Sequence, residues 1–208
     1  MKSFKGLLLG VILFHPATYA FAGWDSGNAL PRIEIEYRVI LSSAMENCLK
    51  AYDPDFEIWG ARNFSQALQG LYEYKSFHPW KAFLSQQSPA AVIGDFNGDE
   101  ISDAALMGRN KTLGRRIILL SDTSGYSVIE FAESYPLINP LIPGRKIESS
   151  IEDYLEFVPP MKIKAESSYN RPELDLKNDA FKFGIFERGS SVYFHIDNKR
   201  FANYPLSD

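Results

Sequence analysis

The sequence predicts an α+β fold, in which an antiparallel β-meander is covered by N-terminal helices and followed by a C-terminal β-hairpin. Three observations predict it. Between positions 91 and 131, four short apolar runs follow one another, separated only by turn-length connections. Ahead of them, Leu41, Ala44, Met45, Cys48 and Leu49 recur at helical spacing. Behind them, Phe181, Phe183 and Ile185 fall at every second position, as do Val192, Phe194 and Ile196, with Arg188-Gly189-Ser190 between the two runs.

The first 22 residues read as a secretory signal peptide. Lys2 and Lys5 make a basic start, 6–14 is apolar, and Ala20-Phe21-Ala22 fits an A-x-A cleavage site before Gly23. The apolar run is too short to span a bilayer, and no Cys lies near the cleavage point to carry a lipid. The expectation is a secreted or periplasmic chain with no stable membrane anchor, whose residues 23–208 form a single α+β domain. Loss of residues 1–22 removes Lys2 and Lys5 and no acid, so the formal charge goes from −4 to −6. Adjacent basic residues occur only in pairs, Arg115-Arg116 among them, which gives no support for a nucleic-acid or anionic-membrane partner. Cys48 is the sole cysteine, so an intrachain disulfide is excluded. Its apolar neighbours point to a buried, inert thiol, and a structural metal becomes the more natural staple.

In chain order, 23–31 is a polar lead-in. Ile33, Ile35, Tyr37 and Val39 alternate like a strand, yet the helical spacing that follows predicts a helix over 36–51, stopped by Asp53-Pro54. A second helix is expected over 64–74, with Leu68, Leu71 and Tyr72 on one face, ended by His78-Pro79-Trp80. His78 has no second histidine nearby and reads as packed or surface. Ser88-Pro89 leads into the four strands, at 91–95, 103–108, 116–121 and 126–131, with turns at 110–114 and 123–125. Pro136, Pro140 and Pro143 then make an irregular crossing. Short strands are expected at 154–158, 161–164 and 173–176 before the final hairpin, where Tyr193 and His195 should point away from the Val192 face, His195 as an exposed or hydrogen-bonded residue. Asn63-Phe64-Ser65 and Asn110-Lys111-Thr112 match the N-glycosylation pattern.

The chemistry concentrates between the first two strands of the meander. In GDFNGDEISDAALMG, Asp95, Asn97, Asp99 and Asp103 occupy positions 1, 3, 5 and 9 of a short loop. Oxygen side chains at alternate positions converge only if the backbone curls around one point, and the charges so gathered call for a hard cation. Ca²⁺ takes about six to eight oxygens, including backbone carbonyls, so the Ile101 carbonyl would join the four side chains. An EF-hand is excluded, because its positions 6 and 12 want Gly and Glu where this loop has Glu100 and Leu106. The alternative that needs no metal is an Asx-rich hairpin turn.

The stretch closely resembles the calcium loop of FG-GAP/VCBS repeats, D-x-[DN]-x-D-G-x-x-D between two strands. The one departure is Glu100 where the family has Gly. A looser resemblance runs to the C-terminus, through DNKRF and the final Ser-Asp, to small secreted proteins with one such repeat. The resemblance implies a propeller-blade-like meander, calcium held by Asp95, Asn97, Asp99, Ile101 and Asp103, and no propeller, since only one copy is present. Three function classes follow. The first is an exported calcium-binding, non-catalytic binding or structural module, with an unidentified protein as any partner. The second is a periplasmic inhibitor or immunity-type protein that blocks a partner enzyme. The third is a calcium-dependent hydrolase, for which no G-x-S-x-G, H-E-x-x-H, C-x-x-C or Gly-rich phosphate loop is present. No sequence feature sets the oligomeric state.

Overall fold

A computed structural model of the chain describes residues 38–65, 68, 87–137, 151–164, 172–197 and 199–207. The expected signal peptide, the polar lead-in, His78, most of the second expected helix and most of the proline crossing lie outside them. Helix α1 (Ser43–Tyr52) starts later than the spacing suggested. Ser42, in extended backbone, caps it by accepting from the Met45 N–H at 3.3 Å. Val39 and Ile40 just before it are β-branched and favour the extended backbone that the cap requires. The helix stops at Asp53, held extended by the proline that follows it. Of the second expected helix, Leu68 is helical and 1% exposed, whereas Phe64, its expected start, instead bridges Ile151.

The first sheet contains β1 (Glu57–Ile58), β2 (Gln87–Ser88), β3 (Ala91–Gly94), β4 (Asp103–Arg109), β5 (Leu113–Asp122) and β6 (Gly125–Pro136). Its order is β2-β3-β4-β5-β6, all antiparallel, with β1 also pairing β4. The expected meander is present. β4 and β5 are nearly continuous apolar runs because both faces of the sheet are covered. On one face Ala91, Ala104, Leu106, Ile117 and Leu119 pack under Met45 and Leu49 of α1. On the other, Val92, Ala105, Met107, Ile118 and Leu120 face the rest of the chain.

That cover is the second sheet. β7 (Asp153–Val158), β10 (Ala180–Ile185), β11 (Gly189–Asp197) and β12 (Arg200–Ser207) run in the order β12-β11-β10-β7, while β8 (Lys162–Ile163) and β9 (Leu174–Asp175) pair as a ribbon. The expected hairpin is therefore the centre of a larger sheet. Its register pairs Phe181 with Tyr193 and Lys182 with Val192, which puts Tyr193 and His195 on the inward face. Tyr193 stacks on Phe181 with centroids 5.5 Å apart, and His195 meets the Phe201 ring edge-on, also at 5.5 Å. The expectation of an outward His195 fails because the Val192 face is covered too. There Val158, Leu176, Ala180 and Val192 pack with Ile163 and Leu174 of the ribbon.

Polar groups lock the layers. Arg116 of β5 pairs with Asp153 of β7 through Nε at 3.0 Å and through Nη2, and its Nη1 donates to the Glu133 carbonyl at 2.8 Å. Its guanidinium lies 4.6 Å from the Tyr135 ring centre and 5.1 Å from that of Phe183. The two paired side chains are 15% and 13% exposed. Arg115, next in the chain, holds the end of α1: its Nη1 donates to Glu130 at 2.7 Å and to the Tyr52 hydroxyl at 3.0 Å. Among the described residues no helix is long and apolar enough to cross a membrane.

Arg116→Met leaves the Asp153 carboxylate enclosed without its partner, and is expected to cost about 3 kcal/mol in urea unfolding. The double variant Arg116→Met/Asp153→Asn should recover part of that loss, because the stranded charge is gone.

Candidate metal centre

β3 ends at Gly94, which pairs with Asp103, the first residue of β4. The chain between them curls around its own side chains. Asp95 accepts three backbone N–H groups: Gly98 at 2.7 Å and Asp99 at 3.1 Å on Oδ1, and Glu100 at 2.9 Å on Oδ2. The Asn97 carbonyl oxygen accepts from the Asp99 N–H at 3.1 Å, and Asp99 Oδ1 from the Ile101 N–H at 2.9 Å. Asp and Asn side chains thus do the local work that makes these residue types turn formers. The curl also needs left-handed backbone, which Gly98 (φ 79°) and Glu100 (φ 65°) supply. Glu100 adopts the conformation that a glycine takes easily and a side chain resists.

Asp103 is fully buried. Its Oδ2 accepts from the Phe96 N–H at 2.8 Å, and its Oδ1 from the N–H and hydroxyl of Ser121, each at 2.7 Å. Ser121 Oγ also lies 2.9 and 3.1 Å from the two oxygens of Asp99. A hydroxyl carries one proton, so Ser121 serves one carboxylate at a time. Asn97 supplies the rest, its amide nitrogen donating to Asp99 Oδ2 at 3.1 Å and to the Ser121 carbonyl at 3.0 Å. Burial pushes the Asp103 carboxyl above its ordinary range, resisted by the Ser121 and Phe96 donors and aided by the charge of Asp99. Burial pulls Asp99 the same way, but hydrogen bonds from Ile101, Ser121 and Asn97 outweigh it and leave its carboxyl below the usual range.

Of the five sequence-predicted ligands, Asn97, Asp99 and Asp103 meet at Ser121. Asp95 turns both oxygens to the loop amides. The Ile101 side chain is 47% exposed, and its N–H is the group that ties it to Asp99. The donor set is all hard oxygen, the type that a hard cation takes. Among the described residues, however, no group of three Asp, Glu, His or Cys side chains stands ready to hold a metal. Turning the Asn97 amide over would bring its carbonyl oxygen toward Ser121 and Asp99 Oδ2, at the cost of setting its NH₂ against the Asp99 N–H that this oxygen now accepts.

Three participants were not foreseen. Ser121 lies across the β4–β5 pair from the loop. Asp179 accepts the Asp95 N–H at 3.0 Å, and Asn178 packs so closely on Gly98 that an added Cβ would sit 2.8 Å from its amide. Both come from the segment before β10. Comparison with family models, with curated proteins and with solved structures finds no match to this chain. The loop has to be judged on its own chemistry.

Other reactive groups are otherwise engaged. Cys48 lies with its sulfur 3.3 Å from the Tyr126 carbonyl, and burial, helped by Asp122, keeps its thiol protonated beyond the ordinary value. The Asn110 amide nitrogen donates to Asp53 at 2.8 Å while its oxygen accepts from the Thr112 and Leu113 N–H groups, so this glycosylation sequon is built into a turn.

Asp103→Asn places an NH₂ against either the Phe96 or the Ser121 N–H, and is expected to lower stability by about 2 kcal/mol with chelator present. Glu100→Gly should raise it by roughly 0.5–1 kcal/mol, since the left-handed residue costs about 1–2 kcal/mol and glycine returns about 0.5–1 through the unfolded chain. Urea unfolding of both variants in EDTA reads these effects apart from any ion.

Proposed function

We propose that this is an exported calcium-binding protein of the FG-GAP/VCBS-like kind, a non-catalytic binding or structural module whose ion orders the loop between β3 and β4. The observation that carries the reading is the left-handed Glu100. At the one position where the sequence departs from D-x-[DN]-x-D-G-x-x-D, the backbone keeps a φ of 65°, so the departure need not change the loop. The convergence of Asn97, Asp99 and Asp103 on Ser121 supports it further.

On this reading Asp95, Asn97, Asp99 and Asp103 hold the ion by side-chain oxygens and Ile101 by its carbonyl. The ion supplies positive charge where acids now rely on hydrogen-bond donors. The chain's own contribution is the curl: Asp95 collects the amides, Glu100 and Gly98 turn the backbone, and Ser121 fixes the loop to β5. Export follows from the signal-like 1–22 stretch and suits the affinity class, because extracellular modules bind calcium at about 10⁻⁴–10⁻³ M and meet it at similar levels.

Calcium at ten times its Kd is expected to add roughly 1.4 kcal/mol over EDTA, which for a domain of this size raises Tm by about 3–6 °C. Asp99→Ala should fold and show no calcium response. A wild type whose midpoint ignores calcium would overturn the reading and leave a hydrogen-bonded Asx turn.

A further inference from the structure

We propose that the β3–β4 loop is the latch between the two sheets, so that a cation held in it sets how firmly the C-terminal sheet is docked. This rests on the calcium reading above. The loop has two sides. Asp95, Asn97 and Asp99 turn toward the loop interior and solvent, and 98–102 are exposed. Phe96, between two of the expected ligands, points the other way and is 0% exposed. Its ring lies 5.4 Å from Phe181 of β10 and 6.4 Å from Phe201 of β12, centroid to centroid. Phe96 is the immediate chain neighbour of both Asp95 and Asn97, so a change in curl on the wet side moves the dry side with it.

Polar contacts at the same end repeat the coupling. The Asp95 N–H bonds Asp179, Asn178 covers Gly98, and Lys199 of the β11–β12 turn pairs with Asp122 at the end of β5 at 3.1 Å. The opposite edge of the second sheet is fastened without the loop. There β7 carries Asp153, which pairs with Arg116, and Leu155, whose N–H donates to the Pro89 carbonyl at 2.9 Å. Opening the loop removes the Phe96 and Asp95 ties, leaves β11, β12 and the start of β10 held by Lys199–Asp122 and by the packing of Phe131 on Phe181 and Tyr193, and so loosens that side of the sheet with β7 as the hinge.

Segment-resolved amide exchange of the whole mature chain, in EDTA and in calcium at ten times its Kd, tests this. Calcium is expected to slow exchange by up to about tenfold in 95–102 and in β11 and β12, with β7 unchanged. In Phe96→Ala the slowing should persist in the loop and vanish from β11 and β12. If that variant does not fold, Phe96→Leu and Asp179→Ala should show the same split, reduced in size. Slowing confined to the loop of the wild type would overturn the latch and leave the calcium site standing. Equal slowing everywhere, β7 included, would also overturn it, as general stabilisation. Slowing nowhere would remove the calcium reading, and with it any control of the latch by calcium.

Discussion

A carboxylate taken wholly out of water must be met by donors, and Asp103 is such a group. Left unpaired, a buried charge costs several kcal/mol or gives up its ionisation. Here three donors meet it, one from the loop and two from β5. Much of the molecule follows from that requirement. The Phe96 N–H reaches Asp103 only if the loop closes tightly, which delivers the Phe96 ring to the inter-sheet core. The Ser121 donors reach it only in one register of β5 on β4. A slip by a single residue would remove both and would also turn Ile117 and Leu119 away from α1 toward the other layer.

The loop and the four strands of the meander were legible in the sequence because their signals are local. Asx residues at alternate positions, apolar runs of strand length and turn residues between them need no knowledge of distant neighbours. The start of α1 was misread because apolar spacing runs on through Val39 and Leu41, while one cap at Ser42 decides where the helix begins. The inward face of β11 was illegible for a different reason. Alternation identifies the buried face only when the other is wet, and both faces of this strand are covered. Ser121 and Asp179 were out of reach because their roles depend on pairings across 18 and 84 positions. The motif named the oxygens in the loop; the fold chose the groups that face them.

The left-handed turn at Glu100 is held by Asp95, whose carboxylate takes the N–H groups of Gly98, Asp99 and Glu100, rather than by the backbone freedom of a glycine. The acids that follow are met by the Asn97 amide and the Ser121 hydroxyl, so a cation held there, on the proposed reading, would have to take the place of donors that the fold itself supplies.

The double cover of the first sheet has a consequence for the nascent chain. β4 and β5 leave the ribosome long before β10, β11 and β12 exist to shield Val92, Met107, Ile118 and Leu120. In that interval the run at 117–120 is four consecutive large aliphatic residues of high strand propensity, the composition of segments that pair with their own kind. Charges flank it closely, Arg115 and Arg116 before and Asp122 after, in the positions where gatekeeper residues discourage such pairing. Arg116 thus stands at a shared point: beside the aliphatic run, where its charge would oppose such pairing while the sheet is half made, and against Asp153 of β7 once the molecule is complete.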